Sequence, residues 1–158
     1  MHLKLTTYSL LLILMQLIAI EVTAAPPSIK GRWLTSESVI NIGVCEGVLC
    51  GTIEQLLLPT EIDQSQLLDA NNKKRNLRSR PMLGLNLLTD FGPLLPGQRE
   101  YINGRVYHPG HGRSYKANLR LISDDQLEIE GCFLGFCQQE RWRKLPLCID
   151  GELSLIHI

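Results

Sequence analysis

From Gly31 onward, polar and apolar residues alternate along several short runs of the chain. In SVINIGV, Ile40, Ile42 and Val44 fall on one face, with Asn41 and Gly43 opposite. In SYKANLRLI, Tyr115, Ala117, Leu119 and Leu121 oppose Lys116, Asn118 and Arg120. In QLEIEGC, Leu127, Ile129 and Gly131 oppose Glu128 and Glu130. Successive side chains of a strand point to opposite faces, so this alternation predicts antiparallel strands with one apolar side. RWLTSE, VLCGTIEQLLL, MLGLNLLTDFG, a run ending at Val106-Tyr107, and CQQERWRKL extend the series. Short strands joined by turn signals, such as Ser123-Asp124-Asp125, predict an all-β barrel or sandwich.

Two segments break the rhythm. Pro59 to Leu68, PTEIDQSQLL, reads as a short helix with Thr60 as its N-cap. Asp69 to Pro81, DANNKKRNLRSRP, is polar and basic and reads first as a solvated loop. Its alternative is an anion or partner patch, in which Lys73, Lys74, Arg75, Arg78 and Arg80 meet a phosphate or carboxylate group. The expected fold is therefore a set of strands with one short helix or long loop insertion.

Both termini read as lying outside this domain. Residues 1–24 have a weakly basic start, an apolar run from Leu10 to Ile20, and small residues at Val22 and Ala24. This is the layout of a secretory signal peptide cleaved after Ala24. The apolar run falls short of the ~20 residues that a spanning helix needs. At the other end, LSLIHI (153–158) matches a translated transposon-end sequence and is expected to be a non-native tail. Residues 25–152 are left as a single domain, a length suited to one hydrophobic core.

Composition narrows the function classes. Sixteen basic and sixteen acidic residues give zero formal net charge, so no global field draws nucleic acid or an anionic membrane. Aromatic residues make up only 6% of the chain and provide no obvious stacking platform for bases. Four of the five cysteines form pairs of equal spacing, Cys45/Cys50 and Cys132/Cys137. The spacing also suits zinc, but an oxidising compartment turns close thiols into disulfides. A turn at Gly47-Val48 would set Cys45 opposite Cys50, with Cα atoms roughly 4.5 Å apart and within disulfide reach. Leu134 is a poor first turn residue, so a wider loop is expected between Cys132 and Cys137. Cys148 is left over and is expected to be free or to pair with a residue of a natural end beyond Glu152.

NGRVYHPGHGRSY poses the remaining chemical question. His108 and His111 stand three apart, but Pro109, Gly110 and Gly112 make this segment a hairpin connection. Histidines separated by Pro-Gly do not share a helix face, and no third ligand is evident, so no metal site is assigned. No nucleophile elbow, zinc-protease motif or glycine-rich phosphate loop is present. Asp69, Asp90, His108 and His111 are the residues an enzyme reading would have to use. No catalytic residue and no cofactor is assigned.

Taken in order, several motifs resemble one family. They are GRW (Gly31 to Trp33), VCEGVLCGTI (Val44 to Ile53), Asp69 with Asn72, LRSRPMLGL (Leu77 to Leu85), GRVYHPGHGRSY (Gly104 to Tyr115) and GCFLGFCQQERW (Gly131 to Trp142). The set resembles the bacterial domain of unknown function 2147 family over Gly31 to Lys144. Lys73 and Lys74 depart from its Pro and Asp after Asn72, and His108 replaces the usual Asp before Pro109. No role tied to those acidic positions is carried over. The resemblance implies export to the periplasm or medium and a small antiparallel calycin- or lipocalin-like barrel of about eight strands. It implies no established biochemical role. Gly31-x-Trp33 also resembles the lipocalin opening, in which a late-strand arginine covers the tryptophan. Arg141 or Arg143 would play that part by cation–π stacking. Otherwise Trp33 and Trp142 are core or rim aromatics.

A barrel of this size either fills with side chains or holds one small ligand. The apolar inner faces point to non-enzymatic binding of a small hydrophobic molecule, with Tyr107, His108, Tyr115, Phe133 and Phe136 as mouth or wall residues. The alternatives are an envelope or secreted interaction module that uses the basic segment, or a hydrolase. Neither a nucleic-acid partner nor stable membrane insertion after signal cleavage is expected. The oligomeric state is left open.

Overall fold

The computed structural model describes residues 25–146; the expected signal peptide, Cys148 and the 153–158 tail lie outside them. The alternating runs become eight strands: β1 Gly31–Leu34, β2 Ser38–Cys45, β3 Val48–Leu56, β4 Asn86–Thr89, β5 Glu100–His108, β6 Arg113–Leu121, β7 Gln126–Phe133 and β8 Phe136–Lys144. Each pairs antiparallel with the next, and β1 returns to β8 to close a barrel. Closure removes both sheet edges. The ladders are unequal. β2–β3, β5–β6, β6–β7 and β7–β8 are long, whereas β3–β4, β4–β5 and β8–β1 each pair at two positions.

The predicted apolar faces mostly turn inward. Ile40, Ile42, Leu119, Leu121, Leu127 and Ile129 are buried in one core with Trp33 and Trp142. Gly51 faces Leu88, and a Cβ there would stand 2.6 Å from Leu88 Cδ1, so this glycine gives the leucine its place. Val44 was predicted on the buried face but is exposed, together with its neighbours Cys45 to Val48 at the β2–β3 hairpin tip. The polar face of β7 carries Glu128, which is 6% exposed. Its carboxylate is flanked by Arg120 at 2.5 Å and Arg141 at 3.4 Å.

Chain parity decides what covers Trp33. Its indole Nε1–H donates to Ile29 O at 2.8 Å, which ties the segment before β1 across this end of the barrel. Trp33 pairs directly with Lys144, whose Nζ lies 5.3 Å from the ring centroid and donates to Ser28 O at 2.7 Å. The cation on Trp33 is therefore Lys144, not Arg141 or Arg143. Those arginines sit one residue out of phase on β8, and Arg141 is bonded to Glu128 instead.

Both disulfides are present, in different registers. The first turn is Glu46-Gly47, one residue earlier than expected, with Cys45 paired to Val48 and Cys50 to Gly43. Cys45 and Cys50 are thus offset along the ladder, with Cα atoms 5.7 Å apart. The second turn is a tight Leu134-Gly135 rather than a wider loop, and Cys132 lies opposite Cys137 at 4.1 Å. In both turns a non-glycine residue and then a glycine take positive φ, the conformation that matches strand twist. The glycine is two residues after the first cysteine in CEG and three in CFLG, which sets the register.

The insertion between β3 and β4 is a long loop rather than a helix. Its regular pieces are two short 3-10 turns, Gln64–Gln66 and Arg75–Leu77. The first is capped by Asp63 rather than Thr60, its carboxylate accepting from Ser65 N at 3.0 Å. Local bonding of this kind competes with helix propagation. No helix among the described residues is long and apolar enough to cross a membrane.

Candidate functional site: a cavity at the loop-lined end of the barrel

The β1–β2, β3–β4, β5–β6 and β7–β8 connections all lie at one end of the barrel. There the interior opens into a cavity of about 710 Å³. β3 contributes Ile53 and Leu56, the long loop Leu67 and Met82, and β4 and β5 contribute Leu87 and Val106. β7 contributes Ile129, Gly131 and Phe133. The wall from β8 differs. Because β1 stops at Leu34, β8 runs past it, and Phe136, Gln138, Glu140 and Trp142 follow one another down the cavity side. Ser36 N and Oγ both donate to Glu140 Oε1, at 3.1 and 2.9 Å, and tie the β1–β2 loop to that strand.

A buried polar network fixes the long loop as part of the wall. Asp69 is 1% exposed. Tyr107 Oη donates to its Oδ1 at 2.6 Å, and Asn72 Nδ2 to its Oδ2 at 2.7 Å. The Arg80 guanidinium reaches Oδ2 at 2.8 Å, with its centre 5.0 Å from the Tyr107 ring centroid. Burial pushes the Asp69 carboxyl up, but the bonds from Asn72, Tyr107 and Arg80 outweigh it and hold it below the ordinary carboxylate range. Burial, then the neighbouring carboxylate, pushes the Tyr107 phenol above its ordinary value. Gly112 completes the clasp: a Cβ there would collide with the Asn71 carbonyl, and its own carbonyl accepts from Lys73 N at 3.1 Å.

This network divides the basic segment. Arg80 is committed to Asp69, and Arg78 Nε donates to Asn72 O at 2.7 Å. Lys73, Lys74 and Arg75 are exposed. Arg78 is exposed as well, so of the five cations only Arg80 is spent on a buried carboxylate.

The predicted mouth residues do come together. Tyr107, His108, Tyr115, Phe133 and Phe136 all line the cavity, as does His111. The His108 and His111 rings stack at 4.0 Å, and His111 Nδ1 is 2.8 Å from Tyr115 Oη. Tyr115 meets Phe133 edge-on at 5.7 Å, and Arg113 lies 5.8 Å from the Phe133 centroid. Among the described residues, one cluster has metal-ligand geometry, Glu130 with Cys132 and Cys137. Its two sulfurs are joined in a disulfide and are not available as thiolate ligands.

Asp69, Asn72 and Tyr107 come from two of the motifs that marked the resemblance, and they meet here in one clasp. The sequence pattern of the family described as an uncharacterised protein conserved in bacteria, DUF2147, matches residues 31–144. The chain belongs to the DUF2147 family. Among solved structures, this DUF2147 barrel is similar to protein HP1028 from the human pathogen Helicobacter pylori, described as belonging to the lipocalin family. The TM-score is 0.63 and the identity 20%, over 78% of this chain and 85% of that one. At that identity the likeness concerns the fold. No curated protein matches this DUF2147 chain.

Sequence reading missed Gln138, Glu140 and Trp142 as cavity residues. Their shared parity on β8 was a usable signal, because Trp142 opposes the inward Leu127.

Proposed function

We propose that this protein is exported and holds a small, mainly apolar molecule at the open end of its barrel, without catalysing its conversion. The observation that carries this reading is the cavity itself. Its volume lies within the range of about 300–1,000 Å³ typical of small-molecule sites, and its walls are largely apolar. The clasped loop gives it a defined wall. Tyr107, His108, Tyr115, Phe133 and Phe136 are its proposed contacts. The two disulfides fit folding in an oxidising compartment. A hydrolase reading has less support, because Asp69 is already bonded by Asn72, Tyr107 and Arg80 and is poorly placed to act as a base.

The test is native mass spectrometry of protein purified from an oxidising compartment. An adduct that survives gentle ionisation and vanishes on denaturation is expected. A second reading rests on the β7–β8 tip, where Leu134 is 83% and Phe136 82% exposed. A clean native mass would move the function to that apolar tip, as a docking contact for a partner.

A further inference from the structure

The two tryptophans differ in one respect. Trp33 has its acceptor, Ile29 O. Trp142 lines the cavity and is 4% exposed, yet its Nε1–H is buried with no acceptor among the described residues. Buried donors are nearly always paired in native proteins; this one is covered, so a guest that reached it from the cavity would turn the indole or displace its cover.

Its neighbours define the guest further. Glu140 shares the strand face with Trp142, and same-face residues on a strand lie about 6.6 Å apart. Ser36 occupies one oxygen of the Glu140 carboxylate. No lysine or arginine pairs with Glu140 among the described residues, and none lines the cavity, whose acidic residues are Glu37, Asp69 and Glu140. A carboxylate guest would enter beside the unpaired Glu140 carboxylate, with no lysine or arginine in the lining to offset its desolvation.

We propose that the cavity selects an uncharged amphiphile with an amide-type head. The carbonyl oxygen accepts from Trp142 Nε1–H, the amide N–H donates to Glu140, and the chain lies against Ile53, Leu87 and Ile129. This rests on the reading of the cavity as a ligand site. The head-group preference is its own claim.

The experiment titrates the full protein, near neutral pH, with four probes of equal chain length. They are dodecanamide, dodecanoate, dodecylammonium and 1-dodecene, with binding followed by native mass spectrometry. Dodecanamide is expected to bind at least about tenfold tighter than each of the others, the scale of one well-made hydrogen bond. Trp142→Phe should remove most of the preference over dodecene, read as the ratio of the two affinities within the variant. Glu140→Gln, whose amide oxygen can still accept from Ser36, should narrow the gap between dodecanamide and dodecanoate. Dodecanoate or dodecylammonium binding as tightly as the amide would overturn the proposal. So would an unchanged amide preference in both variants. Equal binding of all four probes would remove the head-group claim and leave the cavity reading standing. Binding by none would remove both.

Discussion

The Tyr107 hydroxyl donates to the Asp69 carboxylate across 38 residues of sequence, joining β5 to the loop between β3 and β4. This bond and its partners hold a loop with little regular structure against the barrel, so that Leu67, Asp69 and Met82 serve as cavity wall. The loop is a working wall only while that clasp is closed.

Removing the hydroxyl should loosen the wall before it unfolds the barrel. Tyr107→Phe leaves Asp69 bonded to Asn72 and Arg80. A hydrogen bond to a charged group is worth about 1.5–3 kcal/mol, and a urea melt should show a loss of that size. Hydrogen exchange should quicken first at the Asn72 and Lys73 amides, which are bonded to Asp69 O and Gly112 O. Unchanged exchange there would mean that the loop is held by something else.

Acid should open the same clasp. The Asp69 carboxyl is depressed in the folded state. Its stabilisation is therefore complete above its unfolded value, about 4, and is lost as pH falls through the lower folded value. Glu128, lowered first by its hydrogen bond from Arg120, acts in the same window. Urea midpoints measured against pH should fall steeply on the acid side, less so in Asp69→Asn, and less again when Glu128→Gln is added. At the alkaline end the sign reverses. The Tyr107 phenol is raised, so its contribution is present below about pH 10 and is lost as pH climbs through the raised value.

Lys144 and Arg143 are adjacent basic residues with different predicted costs. Lys144→Ala removes the cation beside Trp33 and the donor to Ser28 O. The cation–π part alone is worth about 0.5–2 kcal/mol. Arg143→Ala, at an exposed position, should stay within about 0.5 kcal/mol of the parent. Thermal melts of the two variants would separate them, and equal losses would contradict the assignment of Lys144 as the covering residue.

The disulfides should contribute modestly and independently. Each closes a small loop, for which chain entropy gives about 2 kcal/mol. Replacing Cys45 and Cys50 by serine should lower stability by that amount and leave ligand adducts in place. The same change at Cys132 and Cys137 should also weaken binding, because that hairpin carries Phe133 and Phe136 at the cavity. Intact mass before and after reduction counts the bridges.

Much of the barrel is legible from alternation alone. Leu127, Glu128, Ile129 and Glu130 announce a strand and its inner face, and the hairpin through Pro109 and Gly112 falls where the glycines put it. What escaped reading was phase. A turn one residue early at Glu46-Gly47 moved the cysteine register, and the arginines that the lipocalin resemblance offered to Trp33 lie out of phase with it on β8, where Lys144 is the partner. Period-two patterns say which residues of a strand share a face, but not which residue each meets across the ladder, and that depends on the turn. The loop helix failed for a different reason: Asp63 and Ser65 bond to each other and close a short turn. The Asp69 clasp depends on residues far apart in sequence, which no local pattern brings together.

The short ladders have a mechanical consequence. β4 meets each of its neighbours at two positions, and β8 meets β1 at two. The long ladders lie within β2–β3 and within β5 through β8. The barrel is thus two long-laddered half-shells joined along two shorter seams, the one at β4 reinforced by Leu49 N donating to Gly92 O and Ile53 N to Leu85 O. A small rocking of one half-shell against the other would change the bore through these seams. On the proposed reading, a guest's girth would be met there and its chemistry by the side chains of β8.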